Sequence, residues 1–393
     1  MTHSNHNSMR RSTLRKLTGL GMGTILTAGA GAAAVIAPFN SFAKSESKAA
    51  YRFRFGTIYT PAAAEYTAPG IYDFVERVQR KSDGEIAIQL IDKAQACSED
   101  QCAQRVMNGI LHMGSSTFQN TGATMPYSVA LDWPFLWKSR VAYHNFLLSK
   151  ESNRLYRDVL RNKYGVVPLY ASGGMRNIMM GKKYSEAADI TSPDALNGAK
   201  IRITNSEMIS NFAKSMGMAP IPLAWGELLE GLKSGLVDAT ETYPSAAAGF
   251  GMYSVLSQDI DVQFCPGYSM IFMAAKTFDK LPERLQELIY ESAYESMVEA
   301  YQTAIIAEST LVGIGPNPSP DSAYQRAKIR QIKLSPEQHA AFKERGSVEN
   351  NLQLYANLRK QLDDIARIDV YGALSEYAKN TSSTELMAEK WWT

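Results

Sequence analysis

The 393-residue chain carries few of the constellations that enzymes are built on. Beyond residue 43 only His112, His144 and His339 occur, far apart, with no His-Glu-x-x-His and no Cys/His spacing of the metal-site kind. No Gly-x-Ser-x-Gly elbow or phosphate-cradling glycine loop follows an expected strand, and Gly19, Gly21 and Gly23 lie in an apolar leader. No catalytic residue, metal site or cofactor is therefore expected. What remains is recognition chemistry. Arg202 sits in Lys200-Ile201-Arg202-Ile203-Thr204-Asn205, a strand-like alternation. A planar guanidinium offers two parallel N–H donors to a carboxylate and keeps its charge in a closed cleft. The pattern alone leaves open whether Arg202 meets a ligand or a structural Asp or Glu.

Strand and helix patterns alternate around this residue. Residues 51–58 alternate large apolar and basic side chains, Ile71, Phe74, Val75 and Val78 recur at helical spacing, and 85–91 reads as a second strand. A helix over 99–108, a strand over 110–118, a helix over 141–160 and a strand over 165–171 follow, the last running into Ser172-Gly173-Gly174, which suits a crossover. A second block holds strands over 198–203, 218–222 and 236–239 with helices over 206–216 and 227–234 between them. Residues 268–275 are strand-like and suited to return the chain to the first block. The longest helical pattern, 281–308, would reach about 42 Å, enough to brace two domains. From Ser335 a capped start leads into the stripe Leu354, Leu358, Leu362 and Ile365, which is expected to pack on its own chain rather than across a dimer.

This alternation predicts an α/β fold of two domains with a mainly parallel sheet, a cleft between the domains and a long helix bracing both. The expected division is 44–173 with about 267–306, then 174–266 with about 307–340, and a C-terminal helical extension from about 341 to 393. Residues 1–43 read as an export signal: Arg10-Arg11-Ser12-Thr13-Leu14 resembles a twin-arginine motif, with Thr13 in place of the usual aromatic, and Ser41-Phe42-Ala43 suits cleavage. General secretion is the alternative route. Removing the four basic residues of that segment takes the formal charge from +2 to −2, with charges interspersed, so no nucleic-acid partner is expected. The chain beyond the signal is expected to be periplasmic. Cys97, Cys102 and Cys265 leave both a Cys97–Cys102 bridge and small buried thiols open.

Four segments resemble one family: Gly174-Met175-Arg176-Asn177, then Leu196 through Asn205, then Met216 through Leu228, then Leu232 through Glu241. Their order and spacing are similar to those of the substrate-binding subunits of tripartite ATP-independent periplasmic (TRAP) transporters, over about residues 51–310. The resemblance implies capture of a small organic acid by cleft closure and delivery to membrane permease subunits, with a monomer expected in preference to a dimer. It implies Arg202 as principal carboxylate anchor and Arg176 as the second arginine. Trp225 is implied as an aromatic against the ligand, Glu241 and Asn205 fall in the matching segments, and Tyr59, Tyr66, Thr117 and Gln119 fall near cleft-facing positions. Where sugar-acid and C4-dicarboxylate members continue Asn-Pro, this chain reads Glu241-Thr242-Tyr243-Pro244. The lost amide speaks against those ligands, and the Tyr243 ring favours a less hydroxylated or partly apolar acid. A sensor component, a different transporter class and an exported enzyme acting on a carboxylate are the alternative readings.

Overall fold

Two mixed sheets organise the chain, and the order of their strands explains why the binding segments lie far apart in sequence. A computed structural model describes residues 49–67, 70–315, 317–387 and 389–393. The expected export signal lies outside the described residues. Strands β1 (Tyr51–Gly56), β2 (Ile86–Ile91), β3 (Met113–Thr117), β4 (Val166–Met175) and β10 (Pro266–Ala274) make the first sheet, in the order β2-β1-β3-β10-β4. Strands β5 (Asn177–Gly181), β6 (Lys200–Ile203), β7 (Ala219–Pro222), β8 (Ala239–Thr242), β9 (Leu256–Ile260) and β11 (Arg330–Ile332) make the second, in the order β11-β9-β5-β8-β6-β7. The strands linked by helical crossovers pair in parallel, as β1 does with β2 and β3, and β6 with β7 and β8. Each sheet is mainly parallel with one strand reversed: β10 lies antiparallel between β3 and β4, and β5 antiparallel between β8 and β9.

Residues on a strand alternate faces, and β5 uses both. Ile178 and Met180 pack into a cluster with Ile201, Ile203, Phe212 and Phe264, whereas Met179 between them packs with Leu228, Leu256, Val312 and Tyr324. A sheet apolar on both faces needs helices on both, which is the α/β arrangement the sequence predicts.

The chain changes sheets twice within a short distance. β4 ends at Met175 and β5 begins at Asn177, so Arg176 alone separates a strand of the first sheet from one of the second. The return runs from β9 to β10 through residues 261–265, and the two crossings are laced together: Arg176 N–H donates to the Cys265 carbonyl (2.8 Å) and Phe264 N–H to the Arg176 carbonyl (3.0 Å). Close approach here depends on glycine. A Cβ on Gly173 would stand 2.5 Å from the Gly267 carbonyl oxygen and 2.8 Å from the Tyr268 Cα.

Several boundaries differ from expectation for local reasons. The helix expected from residue 99 begins at Cys102, because Cys97 and Cys102 form a disulfide (Cα–Cα 5.1 Å) that holds the preceding turn out of the helix. The helix expected over 141–160 is interrupted: Arg140–Leu148 and Asp158–Tyr164 flank a π-helical turn at Asn153–Arg157. The strand expected at 236–239 is displaced to Ala239–Thr242, since Val237 N–H is taken by the Gly231 carbonyl of the preceding helix. The long helix spans Glu283–Ala307, with Pro282 as its N-cap, and Ile305 near its end is exposed. Val312, just beyond it, enters the second sheet's core.

Beyond Ser335, which caps Pro336–Gly346 through Gln338, lie helices Leu352–Ala366 and Val370–Asn380. They pack on their own chain: Asn211 Nδ2 donates to the Leu354 carbonyl, and Trp133 meets the rings of Tyr355 and Tyr371.

Gly173→Ala is expected to cost about 1–3 kcal/mol, the usual cost of overpacking. Urea unfolding measures this, and an unchanged midpoint would contradict the close approach of β4 and β10.

Candidate ligand-binding site

Arg202 is the third residue of β6, in register with Ile221 of β7 and Thr240 of β8. It has an apolar neighbour on each side in sequence, Ile201 and Ile203, and both of these point into the core. The intervening guanidinium is thereby sent to the opposite face, where only 1% of the residue is exposed. Its Nε donates to the Leu223 carbonyl (2.9 Å), while Nη1 and Nη2 have no hydrogen-bond partner among the described residues. The nearest carboxylate oxygen, Glu241 Oε1, is 3.7 Å from Nη1, an ion pair too long for a hydrogen bond. Burial pushes this guanidinium down to about 10, with Glu241 opposing the shift, so it stays charged at neutral pH.

Arg176 is more fully satisfied. Its Nη1 pairs with Glu241 Oε2, and Nη2 donates to Gln119 Oε1 (2.9 Å). Burial works against its charge, but Glu241 together with Cys265, Asp132 and Tyr243 outweighs that and holds the group above its ordinary value. Glu241, from β8, also accepts from Thr204 N–H (3.3 Å). One carboxylate thus serves two buried arginines, and Arg202 is left with free donors.

Arg202 and Arg176 border a cavity with an empty volume of about 320 Å³, its open mouth included. Of the residues singled out in the sequence, Arg202, Arg176, Trp225, Tyr243, Thr117 and Tyr59 line it. The Arg202 guanidinium carbon lies 5.4 Å from the Trp225 ring centroid, and the half-buried Trp225 meets Phe250 edge-on at 5.3 Å. Tyr59, from the loop after β1, hydrogen-bonds Ser269 on β10 and faces the Phe250 ring at 5.7 Å. The wall is therefore cationic on one side and aromatic on another.

Four expectations need correction. Glu241 and Gln119 are buried beneath the wall and hold Arg176 instead of bordering the cavity. Asn205 is exposed, because β6 ends at Ile203 and the chain turns toward the helix Glu207–Ser215; Thr204 borders the cavity in its place. Tyr66, near the end of the helix Pro61–Thr67, packs against the Met179–Val312 core.

Sequence reasoning missed Phe250, Asn120 and, above all, Glu99. Glu99 is 8% exposed, lies between the two bridged cysteines, and accepts from Thr117 N–H (2.9 Å) and Asn120 Nδ2 (2.8 Å). Burial pushes its carboxyl above the ordinary value, with the Thr117 hydrogen bonds and the two arginines pulling it back. An acid flanked by cysteines after a strand was the available signal. Among the described residues no group of three or more His, Cys, Asp or Glu could hold a metal ion.

The model of the family described as bacterial extracellular solute-binding protein, family 7, matches residues 57–351. The 2,3-diketo-L-gulonate-binding periplasmic protein YiaO of Escherichia coli is 26% identical over 274 residues, 70% of this chain and 80% of that protein. A TRAP periplasmic solute binding protein of Ralstonia eutropha, solved with bound (S)-2-acetolactate, superposes with a TM-score of 0.69 at 18% identity, covering 84% of this chain and 99% of that one. One of Roseobacter denitrificans, solved with β-D-glucuronate, gives 0.69 at 19% identity, with 84% and 100% coverage.

Removing one member of a buried ion cluster strands the others, at a cost of about 3–5 kcal/mol. Glu241→Gln is expected to lower the stability of the ligand-free protein by about that much in urea unfolding. A loss of under about 1 kcal/mol would show that the two arginines do not depend on this carboxylate.

Proposed function

The chain belongs to the bacterial extracellular solute-binding protein family 7, and from that premise we propose that it captures a small organic acid between the lobes built on its two sheets and passes it to a membrane permease. The observation that carries this reading is the pair of Arg202 terminal nitrogens, buried at the cavity wall without hydrogen bonds among the described residues. Buried polar groups are ordinarily paired, and a fork of free donors in a low-dielectric site favours a planar anion. The relatives' ligands support it: diketogulonate, acetolactate and glucuronate are all carboxylates. Arg176 serves as the second cation, and the Trp225, Phe250 and Tyr243 rings accept the less polar part of the acid.

Capture proceeds without bond making. The acid enters the open cleft, its carboxylate meets Arg202, and rotation about the crossing at Arg176 and residues 261–265 excludes water from the ion pair. The lobe boundaries proposed are those expected from the sequence, 44–173 with about 267–306 and 174–266 with about 307–340. Residues 1–43 act as a cleaved twin-arginine-type signal, and the protein works in the periplasm. The Cys97–Cys102 disulfide suits an oxidising compartment. No helix among the described residues is long and apolar enough to cross a membrane.

Arg202→Lys keeps the charge and loses the fork. Acid released from the purified protein is identified by mass spectrometry, and its affinity for both proteins is measured by calorimetry. We expect at least tenfold weaker binding, within the range for disturbing a desolvated charge pair. Affinity within twofold of the unaltered protein would remove Arg202 from the anchor role.

A further inference from the structure

The cavity has an acidic pole as well as a basic one. An ionised carboxylate has about four acceptor positions. Thr117 N–H occupies one on Glu99 Oε1, Asn120 Nδ2 one on Oε2, and the Thr117 hydroxyl a third, which leaves about one acceptor position on a side chain that borders the cavity. A ligand carboxylate seated on Arg202 therefore shares its small site with a second carboxylate. For an unsubstituted acid that proximity is repulsive, whereas a hydroxyl or amino group on the ligand turns it into a hydrogen bond.

Glu99 is also held unusually firmly for a loop residue. The Cys97–Cys102 disulfide closes the chain on either side of it at a sequence separation of five. Ser116 Oγ donates to its carbonyl at 2.6 Å. The bridge is seated against β1 at Gly56, where a Cβ would stand 2.9 Å from Cys97 Sγ. An acceptor fixed in this way loses little freedom when a ligand arrives, which is where preorganised sites gain their selectivity.

We infer that the Cys97–Cys102 clip fixes Glu99 as an acceptor for the ligand, so that the protein selects carboxylic acids bearing a hydroxyl or amino donor over unsubstituted ones. This rests on the carboxylate reading above and adds to it a second required group. The Tyr243 ring disfavours hydroxyl groups on the aromatic side of the cavity, whereas on the opposite side one donor, directed at Glu99, is needed.

The test is calorimetry with butanoate, its 2-, 3- and 4-hydroxy derivatives and its 2-, 3- and 4-amino derivatives, on the unaltered protein, Glu99→Gln and the double variant Cys97→Ser/Cys102→Ser. In the unaltered protein at least one substituted acid should bind five times or more tighter than butanoate, and the series that does so distinguishes a hydroxyl from an amine. In Glu99→Gln, and in the double variant, that ratio should fall by more than half. Should the double variant fail to fold, the unaltered protein treated with dithiothreitol replaces it. A ratio below fivefold in the unaltered protein, or one kept above half in Glu99→Gln, overturns the inference and leaves the carboxylate reading standing. A ratio kept above half after loss of the disulfide removes the clip from its positioning role. If no acid binds, the carboxylate reading falls and this inference with it.

Discussion

Two arginines and a glutamate, all nearly inaccessible to water, set the terms on which this molecule folds. Taking such charges out of water costs several kcal/mol per ion, and the cost is met only when geometry and hydrogen bonding are both good. Here the compensation is uneven. Arg176 has a carboxylate and an amide as partners, whereas Arg202 has one backbone carbonyl and a carboxylate at 3.7 Å. The fold completes one ion pair and leaves the other incomplete. In the function proposed above, that asymmetry makes Arg202 the principal anchor and Arg176, already paired, the second cation.

The cluster also ties recognition to the connection between the sheets. Arg176 is the lone residue between β4 and β5, and its backbone is hydrogen-bonded to the returning strand at Cys265 and Phe264. Glu241 approaches from β8 and Arg202 from β6, so three strands of the second sheet converge on the point where the chain leaves the first. Gln119, which steadies Arg176, also donates to the Pro266 carbonyl at the start of β10. A change at this junction therefore alters charge placement and chain path together.

Much of this was legible in the sequence. Strand β1 and the helix Ile71–Lys81 were set by periodicity, and Ile71, Phe74, Val75 and Val78 are the residues that helix buries. Arg202 and Arg176 were legible because each lies in a segment with a defined backbone, a strand in one case and a crossover in the other. Asn205 and Tyr66 were misjudged because each sits at the end of an element, where one turn of backbone decides which way a side chain faces. Glu241 was assigned to the ligand, yet a carboxylate next to two buried guanidinium groups is claimed by them first. Glu99 was invisible for a different reason. Its position depends on a disulfide that spacing alone left open, and on contacts with residues 116–120 that belong to a later strand and turn.

The division of the cavity wall bears on how such a protein could be repurposed. Arg176 and Glu241 are bound into the junction of the sheets, and replacing either disturbs the framework. Trp225, half-buried on a short turn, and Phe250, at the end of the helix Pro244–Gly249, are not hydrogen-bonded into that network. They can change size and shape while the charged floor stays as it is. On the function proposed above, a new cargo is thus best sought by recasting the aromatic rim, with a carboxylate as the fixed handle by which it is held.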